Sequence, residues 1–329
     1  MFSIKKRVLA VGLALPLTLA ACTSSGGNGS QSTSTSAAGG QGSYGYTFAV
    51  VTHGAIGDSF WDVVKKGVEQ AGKDEGVKVT YQSDGDPQKQ SQLIDAAVNE
   101  KVDGLVVSMA NPDALKASIE KAIAAGIPVI TINSGQAKSK EFGALAHVGQ
   151  DEVIAGQGAG QKMKEAGVTH ALCVIQEAGN IGLEQRCQGF AQGLGGKVDN
   201  LQVENSNPSG AQATIKSKLQ TDPSINGVLT LGPVIGGAAI QALADANSQA
   251  KLATFDLNGD VTKAIADGKM LFAVDQQQYV QGYLPIVMLT LYKANLNTIG
   301  GGQPVLTGPG YVTKDNAAQV QELSTAGTR

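Results

Sequence analysis

The chain has 329 residues, a formal net charge of −3, 43 glycines, three cysteines and three histidines. Its length suits two domains of ordinary size, and 42 % hydrophobic against 16 % charged residues lets most of it bury a core. The mildly acidic balance argues against a nucleic-acid partner, the few histidines and cysteines against a zinc cluster, and the aperiodic glycines against collagen.

Residues 1–21 read as an export signal. Lys5, Lys6 and Arg7 form a positive start, and residues 8–20 are an apolar run too short for a comfortable membrane span. The run ends in Leu19-Ala20-Ala21-Cys22, which resembles the lipobox of bacterial lipoproteins. That resemblance implies cleavage before Cys22, lipidation of its thiol, and residence on the outer face of the cytoplasmic membrane. Residues 23–45 carry no charge and are mostly Ser, Thr, Gly, Gln and Ala. Such a segment cannot bury apolar area, so residues 22–45 read as a lipidated Cys followed by a flexible tether. Cleavage removes the three positive charges and takes the net charge from −3 to −6.

From residue 46 onward short apolar runs alternate with helical patterns. Strands are expected at 47–52, 77–81, 104–108, 128–133, 171–175, 201–203, 227–231, 252–255 and 271–274. The runs are rich in Val, Ile and Leu without alternation, as parallel strands buried on both faces are. Between them, segments such as 60–72, 90–98, 114–125 and 210–219 have apolar spacing near 3.6. Gly76, Gly126, Gly167 and Gly268 fit helix C-caps. A long helix is expected at 279–296, with a tail at 304–312.

The pattern also echoes itself. Pro87 precedes Ile94 by seven residues and Pro208 precedes Ile215 by seven, and in both cases an Asp/Asn-Gly strand start follows. The expected fold is therefore α/β, with two similar doubly wound Rossmann-like lobes joined by a multi-stranded hinge. The expected division is 46–149 plus 277–304 for the first lobe and 150–276 plus 305–329 for the second. With Cys22 lipidated, Cys173 and Cys187 remain in an oxidising compartment. They either pair as a disulfide, which their number favours, or stay as two buried thiols.

Catalytic signatures are missing from the sequence: it has no Gly-x-Ser-x-Gly elbow after a strand and no Walker-type loop. Gly156-x-Gly158-x-Gly160 lies inside a helical pattern, where close helix packing explains it better than a dinucleotide. His53, His147 and His170 match no ligand spacing, so no metal, cofactor or enzymatic activity is expected.

What stands out is the chemistry at strand C-terminal ends, where open α/β sheets bind ligands. The first strand leads through Thr52 and His53 to Asp58, Phe60 and Trp61. The third ends in Ser108, and the fourth in Asn133-Ser134. Two later strands end in Asp256 and in Asp275-Gln276. Paired donors and acceptors with a flat aromatic surface suit a polyol. Plainer readings exist for several of these residues. Asp58 also fits a helix N-cap, Phe60 and Trp61 fit the core, Asp256 fits a turn, and Arg186 fits a solvated salt bridge.

These features together resemble the type I periplasmic binding proteins, closest to the ribose-binding-like carbohydrate receptors of ABC importers. The resemblance is carried by residues 46–67, 103–108, 127–133, Gln150-Asp151, 179–190, Phe255-Asp256 and 275–282, and spans about residues 46–315. It implies ligand contacts from Thr52, Asp58, Phe60, Trp61, Ser108, Asn133, Ser134, Arg186, Asp256 and Gln276. It also implies a sugar or sugar alcohol as ligand, a membrane permease as partner, and a monomeric, non-enzymatic receptor. Asn133 stands where many relatives have Asp, Ser134 where they have Arg, and Gly232 where ribose receptors have Asn. These departures point away from ribose to another pentose, a hexose or a sugar alcohol. Receptors for nucleosides or a furanone signal use a related fold and are the alternative.

Overall fold

The structure, a computed structural model, describes residues 44–55 and 57–329. The expected export signal, Cys22 and most of the expected tether lie outside the described residues. The first round of alternation runs β1 (Thr47–Thr52), α1 (Ser59–Asp74), β2 (Lys78–Ser83), α2 (Pro87–Asn99), β3 (Gly104–Ser108), α3 (Pro112–Ala124), β4 (Val129–Ile132), α4 (Gln136–Ser139) and β5 (Ala146–Gly149). The second runs α5 (Glu152–Glu165), β6 (His170–Ile175), α6 (Ile181–Leu194), β7 (Lys197–Gln202), α7 (Pro208–Thr221), β8 (Gly227–Thr230), α8 (Pro233–Asp245), β9 (Lys251–Phe255), α9 (Gly259–Ala266) and β10 (Phe272–Asp275). Then follow α10 (Gln278–Asn295), β11 (Val305–Leu306), β12 (Gly310–Thr313) and α11 (Ala317–Ala326).

Two six-stranded sheets result, ordered β11-β5-β4-β3-β1-β2 and β12-β10-β9-β8-β6-β7. The first five strands of each round take the same order, so the two lobes share one topology. Only β12 runs antiparallel, against β10. The sequence echo has a structural basis: Pro87 and Pro208 each open the helix that crosses from the second to the third strand of a sheet. Proline is suited there, because the first helical N–H has no partner to lose.

Side chains alternate between the faces of each sheet. Along β1, Phe48 and Val50 face α1 and α10, while Ala49 and Val51 face α2 and α3, giving the first lobe two core layers. The second lobe is layered in the same way around β6. Cys173 on β6 and Cys187 on α6 are joined as a disulfide inside one of those layers, with Cα atoms 5.8 Å apart.

Glycine sets the closeness of one helix pair in each lobe. A Cβ on Gly282 of α10 would stand 2.0 Å from the Val64 carbonyl oxygen of α1. A Cβ on Gly156 of α5 would stand 2.2 Å from the Arg186 carbonyl oxygen of α6. Close helix packing is thus the role of the Gly156-x-Gly158-x-Gly160 stretch at its first position, and at Gly160, whose Cβ would meet Phe190 O at 2.4 Å.

The chain passes between the sheets at 150–151, 276–277 and 307–309. The third passage lies after Leu306 and not after Pro304, because Val305 and Leu306 add to the first sheet beside Val148 and Gly149. The passages touch: a Cβ on Gly308 would lie 2.9 Å from Asp275 O and 3.0 Å from Gln150 Oε1. Three strands escaped the sequence pattern. β5 is only Ala-His-Val-Gly, while β11 and β12 are short edge strands in a Gly- and Pro-rich tail. Among the described residues no helix is long and apolar enough to cross a membrane.

Candidate functional site

The C-terminal strand ends of the two sheets face each other across a cleft of about 370 Å³, counting the solvent-open space at its mouth. The first lobe supplies His53 after β1, Asp58, Phe60 and Trp61 at the start of α1, and Asn133 after β4. The second supplies Gln176, Glu177 and Asn180 after β6, Leu183 and Arg186 on α6, and Asn205 after β7. Leu231, Gly232 and Pro233 follow β8, Asp256 follows β9, and Gln276 stands in the second passage between lobes.

Local backbone chemistry aims these groups. Asp58 caps α1 through its Oδ1, which accepts from Phe60 N at 2.9 Å, and this leaves Oδ2 on the cleft side. N-cap and cleft residue are therefore one role. Phe60 and Trp61 meet edge to face at 5.0 Å, and both belong to the core layer under the cleft as well as to its wall. Asn133 and Asp256 hold left-handed backbones, with φ of 60° and 65°. For residues with a Cβ this conformation is uncommon, and these two residues hold it at strand ends in the cleft wall.

A chain of amides ties the two lobes through the hinge. Asn133 Nδ2 donates to Gln276 Oε1 at 3.1 Å, and Gln276 Nε2 donates to Asp256 Oδ1 at 2.8 Å. Gln281 Nε2 also donates to Gln276 Oε1, at 2.9 Å.

Arg186 is held as a fork. Its Nε donates to Glu152 Oε2 at 2.6 Å and its NH2 to Glu152 Oε1 at 3.0 Å, with both side chains buried. NH1 donates to Leu231 O at 3.3 Å and lies 3.8 Å from Asp256 Oδ2. The guanidinium also sits 4.6 Å over the Phe255 ring. This ion pair is buried, so Arg186 is not the solvated salt bridge of the plainer reading.

With Arg186 paired to Glu152, the cleft is rich in acceptors. Burial pushes Asp256 up to about 7. Burial, and then the neighbouring Glu177, push Asp58 up to about 6. Burial also raises Glu177. His53 is driven down to about 3 by burial and by the Arg186 charge, so its ring is neutral. Its Nδ1 lies 2.7 Å from Ser108 Oγ. Such a site accepts hydrogen bonds from hydroxyl groups and offers one guanidinium and several amides as donors in return.

Asp58, Phe60, Trp61, Asn133, Arg186, Asp256 and Gln276 are brought together in the wall. Thr52, Ser108 and Ser134 are not, and each has a partner that explains it. The Thr52 hydroxyl lies 2.9 Å from Tyr81 Oη. Ser108 Oγ accepts from His53 N at 3.0 Å behind the wall. Ser134 Oγ donates to Asn133 Oδ1 and to Asn180 Oδ1, both at 3.1 Å, at the contact between lobes. Gln176, Glu177, Asn180, Asn205 and Glu152 carry no motif. The one signal for them was position: three follow β6 and one follows β7, at the same sheet edge. Glu152 acts from behind the wall, where only the fold shows it.

Comparison with known proteins places this architecture. The family described as periplasmic binding protein domain matches residues 48–295. The chain belongs to that family, whose members are solute receptors and not enzymes. A carbohydrate transporter structure from Acidothermus cellulolyticus 11B, in complex with myo-inositol, is 45 % identical, with a TM-score of 0.85 over 87 % of this chain and 100 % of that one. The xylose/arabinose-binding protein XylF of Sulfolobus acidocaldarius is 25 % identical over 68 % of this chain, which covers 60 % of that relative. The ribose import binding protein RbsB of Bacillus subtilis is 25 % identical over 70 % of this chain and 76 % of its own length.

Proposed function

We propose that this protein is the extracytoplasmic solute receptor of an ABC-type carbohydrate importer, and that it captures a monosaccharide or sugar alcohol between its lobes. The observation that carries the reading is the cleft between the lobes, where carboxylates, amides and one guanidinium converge beside the Phe60–Trp61 pair. A polyol presents hydroxyls at its rim and C–H groups on its faces, and this wall answers both. The relative crystallised with myo-inositol makes a cyclitol the first ligand to try.

In this reading Asp58, Asn133, Arg186, Asp256 and Gln276 bond the hydroxyls, and Phe60 and Trp61 pack on the C–H faces. Closure of the lobes by hinge bending seals the ligand from water, and the closed form docks on a membrane permease that takes the cargo. The receptor works as a monomer and forms no bond with its cargo. Lipidation at Cys22 holds it at the membrane, with the uncharged tether giving it reach.

A thermal-shift screen tests the assignment, because a ligand that binds only the folded state raises Tm. Stabilisation by myo-inositol or another polyol is the expected result. Stabilisation by nucleosides alone would replace the reading with that of a nucleoside receptor. Replacing Cys22 with Ala in the producing cell should release the protein from the membrane fraction, and retention would remove the lipid anchor from the proposal.

A further inference from the structure

Gln176 follows β6 and lines the cleft with 8 % of its surface exposed. Its backbone is tied down, since its carbonyl oxygen accepts from Asn205 N at 3.1 Å. Its side-chain Oε1, however, is a buried acceptor with no hydrogen-bond partner in the protein. Among the described residues it is the one wall side chain of the cleft with such an atom. Buried acceptors left without a donor are rare in folded proteins, and on a residue that lines a ligand cleft such an atom has an evident use.

Gly232, across from it, explains how the amide fits. It precedes α8 with φ of −164°, an extended backbone open to any residue, and it provides no side-chain cap. Glycine is therefore not needed there for its backbone freedom. A Cβ at this position would stand 2.8 Å from Gln176 Nε2 and 3.6 Å from its Cδ. The missing side chain leaves the room that the Gln176 amide fills.

We infer that Gln176 and Gly232 act as one specificity element: Gly232 leaves room for the Gln176 amide, and Gln176 Oε1 accepts a hydrogen bond from a hydroxyl of the bound polyol. The inference rests on the polyol reading above and narrows it. The ligand must carry a free hydroxyl on the side of the cleft made by the ends of β6 and β8. An analogue with that hydroxyl removed or alkylated leaves Oε1 without a donor and is discriminated against.

The test uses calorimetry on the full chain with the tightest binder among myo-inositol, D-ribose, D-arabinose, D-xylose and D-fructose, and with its monodeoxy analogues. Gln176→Leu should weaken binding about tenfold, the scale for a buried hydroxyl that loses its partner. Gly232→Ala should weaken it comparably by displacing the amide. Its ligand-free Tm should stay unchanged, because the atom it meets is the far end of a flexible side chain. The double variant should bind no more than about twofold more weakly than Gln176→Leu alone, since both act on one contact. One monodeoxy analogue should bind wild type and Gln176→Leu equally well. Binding to Gln176→Leu within twofold of wild type overturns the inference, as does a Gly232→Ala loss that persists in full in the Gln176→Leu background. Wild type that binds none of the panel overturns the polyol reading itself, and does so before any variant is made.

Discussion

Asn205 on the second lobe donates to Asp58 Oδ2 on the first across the cleft at 2.8 Å. Two further contacts join the lobes beside it: Ser134 Oγ to Asn180 Oδ1, and Ile181 N to Ala110 O, each at 3.1 Å. The lobes are therefore closed on each other, and Asp58 both lines the cavity and holds the latch. Asn205→Ala should shift the lobes towards an open arrangement and cost about 0.5–1.5 kcal/mol of ligand affinity, the net worth of one such bond. Calorimetry measures the affinity and small-angle scattering the opening; a variant with unchanged affinity would leave Asn205 without a role in closure.

Protonation of the buried carboxylates makes stability depend on pH with a defined sign. Asp256 titrates near 7 in the folded chain against an ordinary 3.8, chiefly through burial. Between those values the folded state holds a proton that the unfolded state has released. Its stabilising contribution is therefore present below about pH 4 and is lost as pH rises through about 7. Asp256→Asn does not titrate, so the difference in unfolding free energy, variant minus wild type, should grow from pH 4 to pH 7. Asp58, which titrates near 6, should behave alike over a narrower window. Denaturant unfolding of the ligand-free protein across that range is the measurement, and a flat difference would contradict the burial argument.

Arg186 and Glu152 are both almost fully buried, so breaking their pair has a structural cost beyond any ligand contact. Arg186→Ala should lower the unfolding free energy by roughly 3–5 kcal/mol, because the Glu152 charge is left without a partner. The combination Arg186→Met with Glu152→Gln should recover much of that loss. Urea unfolding distinguishes these outcomes, and full stability in Arg186→Ala alone would show that the pair is not needed for folding.

Helical glycines in tight and in open surroundings predict opposite effects for one kind of substitution. Gly282→Ala places a Cβ 2.0 Å from the Val64 carbonyl oxygen and should cost about 1–3 kcal/mol as α1 and α10 are forced apart. Gly237→Ala, inside α8 with open space around its Cβ, should gain about 0.5–1 kcal/mol from helix propensity. Tm values of the two variants would test both signs.

Cys173 and Cys187 enclose a short loop that holds β6 against α6. Without reductant the protein should show no titratable thiol from this pair. Loss of the bridge should cost about 3 kcal/mol by the loop-closure argument for a loop of this length. Two thiols reacting in the native oxidised protein would overturn the pairing.

Much of this molecule was legible in its sequence. Strands buried on both faces need unbroken branched apolar runs, so most of the parallel core strands stood out. Helix ends carry their own signals, and Gly76, Gly126, Gly167 and Gly268 all adopt the left-handed backbone that a C-cap glycine serves. Aromatic and carboxylate residues at strand ends likewise pointed to Asp58, Phe60, Trp61 and Asp256, because the edge that binds ligand follows from topology alone.

Other features depended on distance in space. Thr52, Ser108 and Ser134 have the right chemistry at the right strand ends, but Tyr81, His53 and Asn180 occupy their hydroxyls. Glu152 reaches Arg186 from another helix, 34 residues away in the chain. Asn205 reaches Asp58 from the other lobe, 147 residues away. Local sequence determines which segments become strands and helices, and so which edge of each sheet holds the ligand. Which polar groups at that edge stay free is decided only by the tertiary structure, within each lobe and between them, because a hydrogen bond is made over about 3 Å and the sequence does not record which residues come that near.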